Sequence, residues 1–131
     1  MAGTRHTERF APDFGVLAAV RRFASEAADR AGLGTDARYA VVMACSEAVA
    51  NAIEHGSPDG DQIEVTAAVE GDSLALYVQD TGRFVPRVRP RGLMPERGRG
   101  LAFMSELMDE VQVRAGSRGT VVRLTKRLPA G

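Results

Sequence analysis

Early in the chain, apolar residues recur at helical spacing. Phe14, Leu17, Val20, Phe23 and Ala27 fall three or four apart, which predicts an amphipathic helix over Asp13 to Ala31, ended by Gly32. A second helix is predicted from about Asp36 to His55, with Thr35 as its N-cap. Gly56 to Gly60 reads as a turn. The period then drops to two: strands are predicted near Gln62–Val69 and Ser73–Gln79, joined by Glu70-Gly71-Asp72. Thr4 to Phe10 reads as an edge strand. Arg83 to Arg97 contains Pro86, Pro90 and Pro95, so a loop is expected there. A third helix is expected from about Gly100 to Met108, followed by strands near Glu110–Ala115 and Thr120–Arg127.

Three helices on one face of a mixed, mainly antiparallel sheet make an α+β fold, a two-layer α/β sandwich. A chain of 131 residues suits one domain over 1–131, with a core from about 10 to 128. Neither an internal repeat nor a linker marks a second domain.

Formal net charge is zero, so no overall field favours nucleic acid. The one local bias is Arg83, Arg87, Arg89, Arg91, Arg97 and Arg99 against Glu96. These arginines suit either a solvated loop or a basic lid over a triphosphate. The single Cys45 has no partner for an internal disulfide, which fits a reducing cytoplasm. No apolar run reaches membrane-spanning length and no signal peptide is visible, so a cytoplasmic protein away from the membrane is expected.

Three patterns carry chemistry. On the second helix Glu47, Asn51 and His55 recur at four-residue spacing and therefore share a face. Glu47 and Asn51 are roughly 6 Å apart along the axis, which suits a proton-handling carboxylate beside an amide that holds a cation. The bland alternative is a solvated helix face. Next, the strand Ser73–Gln79 runs into Asp80-Thr81-Gly82. A carboxylate there can accept from an exocyclic amine, with Gly82 permitting close approach; an ordinary Asp-Gly turn is the alternative. Lastly, Gly98 and Gly100 precede the apolar positions Leu101, Phe103, Met104, Leu107 and Met108. A glycine-rich loop opening a helix offers free N–H groups to an anion. It lacks the third glycine of the dinucleotide fingerprint, and the chain has no Walker A loop.

The order and spacing of these three patterns resemble the GHKL ATPase superfamily of gyrase, Hsp90, histidine-kinase and MutL-type domains. Ser46-Glu47-Ala48-Val49, Asn51-Ala52, His55-Gly56 and the segment Gly98 to Val111 are most similar to bacterial anti-sigma-factor serine/threonine kinases. So is the closing Gly119-Thr120-Val121-Val122-Arg123-Leu124. One departure stands out: Asp80-Thr81-Gly82-Arg83-Phe84-Val85-Pro86 lacks that family's second glycine and is one residue shorter, which bears on how closely the loop follows a nucleotide.

The resemblance implies a Bergerat-type fold, ATP and Mg²⁺ as cofactors, and phosphoryl transfer to a protein hydroxyl. It implies that Glu47 handles the hydroxyl proton and that Asn51 offers an oxygen to Mg²⁺. Asp80 and Gly82 would then meet adenine, and Gly98, Gly100 and Leu101 the phosphates. Arg97 would neutralise the transferred group and Thr120 support the adenine end. His55 either faces the phosphates or caps its helix. The implied partners are a sigma factor and a STAS-type antagonist, with the kinase a homodimer. The alternative is a non-catalytic nucleotide-binding module that sequesters a protein partner. A histidine-kinase catalytic half would need a phospho-accepting hairpin ahead of Asp13, and a gyrase-type or MutL-type ATPase a long transducer; neither is expected here.

Overall fold

Asp13 launches the first helix. Its side chain accepts a hydrogen bond from Gly15 N–H at 2.8 Å, turning the chain through a 3-10 turn, Phe14–Val16, into α1 (Leu17–Arg30). The structure, a computed structural model, describes residues 5–55, 62–80, 95–116 and 119–129; of His55 and 95–99 only the backbone is described. Val20, Phe23, Ala24, Ala27 and Ala28 form the buried stripe of α1. The helix ends in a Schellman motif: Leu33 N–H donates to Ala28 C=O and Gly32 N–H to Asp29 C=O, both at 3.0 Å. Gly32 takes φ +85°, a left-handed conformation that suits glycine.

Helix α2 (Thr35–His55) follows directly. Arg38 N–H donates to Gly34 C=O at 2.8 Å, so Gly34 is the N-cap and Thr35 the first helical residue. This corrects the expected cap by one position. The backbone bond rather than the threonine hydroxyl defines the start. Ala40, Val41, Ala44, Cys45, Ser46, Ala48 and Val49 of α2 are all buried, because it lies between α1, α3 and the sheet.

The strands are β1 (Arg5–Phe10), β2 (Ile63–Glu70), β3 (Ser73–Asp80), β4 (Glu110–Gly116) and β5 (Gly119–Arg127), with α3 (Pro95–Leu107) between β3 and β4. They form one sheet in the order β1-β2-β3-β5-β4, and each described pairing is antiparallel. A mixed, mainly antiparallel sheet was expected; the described sheet is antiparallel throughout. Because β5 inserts between β3 and β4, those two strands never pair. Glu70 pairs with Ser73 around a two-residue turn in which Gly71 takes φ +62°.

Alternation divides the sheet into two faces. Ile63, Val65, Ala67, Leu74, Leu76, Val78 and Leu124 are buried beneath the helices. Phe10 meets Phe23 of α1 edge-on, with centroids 6.4 Å apart. The opposite face is polar and hydrogen-bonded: Thr7 to Thr66 at 2.9 Å, Arg9 to Glu64 at 3.2 Å, Tyr77 to Glu70 at 2.6 Å. Arg123 donates to Tyr77 Oη, Glu70 and Glu110. The guanidinium groups of Arg5 and Arg123 also lie 5.9 and 5.8 Å from the Tyr77 ring centroid.

Candidate functional site

Helix α2 carries Glu47 and Asn51, both partly buried, on the side that meets α3. The contact is made at Gly100, which is itself buried. A Cβ added there would lie 3.0 Å from Asn51 Nδ2 and 3.1 Å from Glu47 Oε2. Only a residue without a side chain fits this approach undisturbed. Thus Glu47, Asn51 and Gly100, expected as three parts of one site, are brought together.

The α3 boundary differs from expectation. The helix begins at Pro95, so Gly98 and Gly100 lie within its first two turns rather than in a loop ahead of it. Proline is well suited to a first helical position, since its fixed φ is helical and an N–H there would have no partner. The N–H groups that such a start leaves free are those of Glu96 and Arg97; the N–H groups of Gly100 and Leu101 point back along the helix. Leu101 is 39% exposed, while Met104 and Met108 anchor α3 in the core.

The other end of the site lies on the sheet. Asp80, only 3% exposed, ends β3 on the helix-facing side, between Ile63 of β2 and Thr120 of β5. Asp80 and Thr120 are direct cross-strand partners. Since α2 hands over to β2, whose first residue pairs with Asp80, the C-terminal half of α2 and the end of β3 lie toward the same end of the molecule. Gly82 and the arginines Arg83, Arg87, Arg89 and Arg91 lie outside the described residues, as do the side chains of His55, Arg97 and Arg99.

Cys45, six residues before Asn51 on α2, is fully buried, and desolvation pushes its thiol up to about 12. It is a core residue and no nucleophile. Sequence reasoning missed the Glu70–Tyr77–Arg123 cluster, although period-two counting along β2, β3 and β5 would have placed all three on the polar face. The Tyr77 hydroxyl, followed by the Arg123 guanidinium, holds the Glu70 carboxyl below the usual range against an opposing desolvation.

Two coordination and recognition chemistries fit these residues. The Asn51 amide supplies a hard oxygen of the kind Mg²⁺ takes alongside phosphate oxygens and waters. Among the described residues no group of three His, Cys, Asp or Glu side chains forms a metal cage. A buried carboxylate ending a strand suits recognition of an amine on a planar base.

The profile of the histidine kinase-like ATPase domain matches residues 10–126. The serine-protein kinase RsbW of Bacillus velezensis is 35% identical over 124 residues, covering 83% of this chain and 76% of that protein. RsbW of Bacillus subtilis is 34% identical with the same coverage. The crystal structure of the RsbU and RsbW domains of Rv1364c from Mycobacterium tuberculosis superposes with a TM-score of 0.76 at 26% identity, covering 98% of this chain and 33% of that one. The histidine kinase domain of a blue-light-activated kinase from Erythrobacter litoralis EL346 shares the fold, with a TM-score of 0.59 at 22% identity. The chain belongs to the histidine kinase-like ATPase family, on the branch that carries the RsbW serine-protein kinases. No described helix is long and apolar enough to cross a membrane.

Proposed function

We propose that this protein is an ATP-dependent serine/threonine kinase that sequesters a sigma factor and phosphorylates a STAS-type antagonist, acting in the cytoplasm as a homodimer. The observation that carries the reading is the meeting of Glu47 and Asn51 with Gly100 at the α2–α3 contact. The RsbW relatives, named serine-protein kinases, support the reaction class.

In this reading Asp80 and Gly82 hold the adenine amine, with Thr120 beside Asp80. The positive end of α3, with Gly98, Gly100 and Leu101 in its first turns, faces the phosphates. Arg97 neutralises charge on the transferred group. Asn51 would hold Mg²⁺ through its side-chain oxygen, and the ion would supply charge neutralisation for the phosphates. Glu47 accepts the proton of the attacking Ser or Thr hydroxyl while that oxygen bonds to the γ-phosphorus. The bond from the γ-phosphorus to the bridging oxygen breaks, and ADP leaves.

Incubation with labelled ATP, Mg²⁺ and a panel of STAS-type antagonists tests this: label should reach a Ser or Thr of one antagonist. The shortened box after Asp80 favours a second reading, a non-catalytic module that binds nucleotide and holds the sigma factor. That reading takes over if ATP and sigma factor bind but no antagonist is labelled.

A further inference from the structure

We propose that Gly100 is a positioning residue: by having no side chain at the α2–α3 contact, it sets where the Glu47 carboxylate and the Asn51 amide end. The inference rests on the reading of that site as a MgATP phosphotransfer site, and it assigns Gly100 a role beyond any contact its backbone makes with phosphate.

The physical case comes from the two distances. A methyl carbon at position 100 would stand 3.0 Å from the Asn51 amide nitrogen and 3.1 Å from a Glu47 carboxylate oxygen. Both are tighter than ordinary van der Waals contact, so something must give by a few tenths of an ångström. The atoms that give are the ends of two side chains, which move without unfolding anything. Outside the backbone of α3 itself, the three atoms nearest the added carbon all belong to these two side chains, the third being the Asn51 amide carbon at 3.8 Å. Gly100→Ala therefore leaves the fold intact and displaces the two groups whose placement matters most. Glycine at this position also runs against helix propensity, because alanine is the better helix former in the interior of α3. A glycine is needed here for the approach to α2.

Misplacement of a reacting group by about 1 Å can cost roughly a hundredfold in rate. A smaller shift in Gly100→Ala should lower kcat for antagonist phosphorylation by about tenfold, with Tm held or raised. The decisive measurement is a double-mutant cycle. If Gly100 acts through Glu47, adding Gly100→Ala to Glu47→Gln lowers the residual kcat no further. The same logic applies to ATP affinity: Gly100→Ala weakens MgATP in the wild-type background and leaves Asn51→Ala unchanged. Effects that multiply in both cycles overturn the proposal and leave Gly100 as a packing residue between α2 and α3. An unaltered kcat and ATP affinity in Gly100→Ala overturns it as well. If the wild type transfers no phosphate, the kinase reading fails, and the Asn51 cycle on ATP affinity still decides the role of Gly100.

Discussion

Asp80 and Thr120 stand opposite each other across the β3–β5 pairing, on the side of the sheet that faces the helices. A buried carboxylate and a hydroxyl are thereby fixed by strand register rather than by a loop. In the proposed reading the pair offers the edge of a base an acceptor and a hydroxyl in a rigid frame.

The first prediction follows from that pair. Asp80→Ala removes the acceptor for the adenine amine. A hydrogen bond to a charged group contributes about 1.5–3 kcal/mol, so ATP affinity should fall by roughly tenfold to a hundredfold. GTP, which lacks that amine, should bind as weakly as before. Calorimetric titration with both nucleotides, on protein shown by melting to be folded, checks it. Undiminished ATP affinity removes Asp80 from the base site.

The second concerns Glu47. Glu47→Gln is nearly isosteric, so it should keep the melting temperature, ATP affinity and sigma-factor binding. A positioned general base contributes about a hundredfold to ten-thousandfold; phosphorylation of the antagonist should drop by at least the lower figure. Rate, affinity and melting temperature are to be read on one preparation. If stability and binding fall together with the rate, Glu47 is a packing residue.

The third is a pH dependence. The Glu70 carboxyl is held below its ordinary value first by the Tyr77 hydroxyl, at 2.6 Å, and then by Arg123, at 3.0 Å. A depressed folded-state value gives stability that is complete above the unfolded carboxylate value and is lost as pH falls through the folded one. Tyr77→Phe should therefore melt below the wild type at neutral pH, with the gap closing in acid below the carboxylate range. With Glu70 32% exposed, solvent screening limits the gap to about 1 kcal/mol. Melting curves from neutral to strongly acid pH show it, and a gap that stays constant with pH would sink the assignment.

The fourth isolates a backbone effect. Gly32 sits at φ +85° with nothing within 4 Å of an added Cβ. Gly32→Ala therefore adds no clash and only forces a left-handed alanine, at a cost of about 1–2 kcal/mol. Chemical denaturation should show that loss with an unchanged m-value, and with nucleotide affinity intact. A neutral result would mean that the turn relaxes to a conformation alanine accepts.

Much of this architecture was legible along the chain. Alternation placed β2, β3 and β5 within a residue or two, because each has one apolar face against the helices and one polar face outward. Val20, Phe23 and Ala27 announced α1 for the same reason, whereas Phe14, expected on the same stripe, lies in the preceding 3-10 turn and is 54% exposed. The start of α3 was not legible: three prolines and two glycines lower helix propensity, yet Pro95 suits a first turn and the buried Met104 and Met108 secure the rest. The antiparallel sheet was hidden too, since no local signal says that the last strand inserts between two earlier ones. At the site, Glu47 and Asn51 announced themselves by spacing. Their contact with Gly100 did not, because it depends on where two helices cross.

The placement of β5 also dictates an order of assembly. It is last of the five strands in the chain, yet it is flanked on both sides, by β3 and β4. Until residues 119–127 leave the ribosome, β3 presents an open edge and β4 has no strand to pair with, as unpaired edges that recruit other chains do. Asp80 acquires its partner Thr120 only in that closing step. Completion of the sheet end around Asp80 and Thr120 is thus a late event in folding.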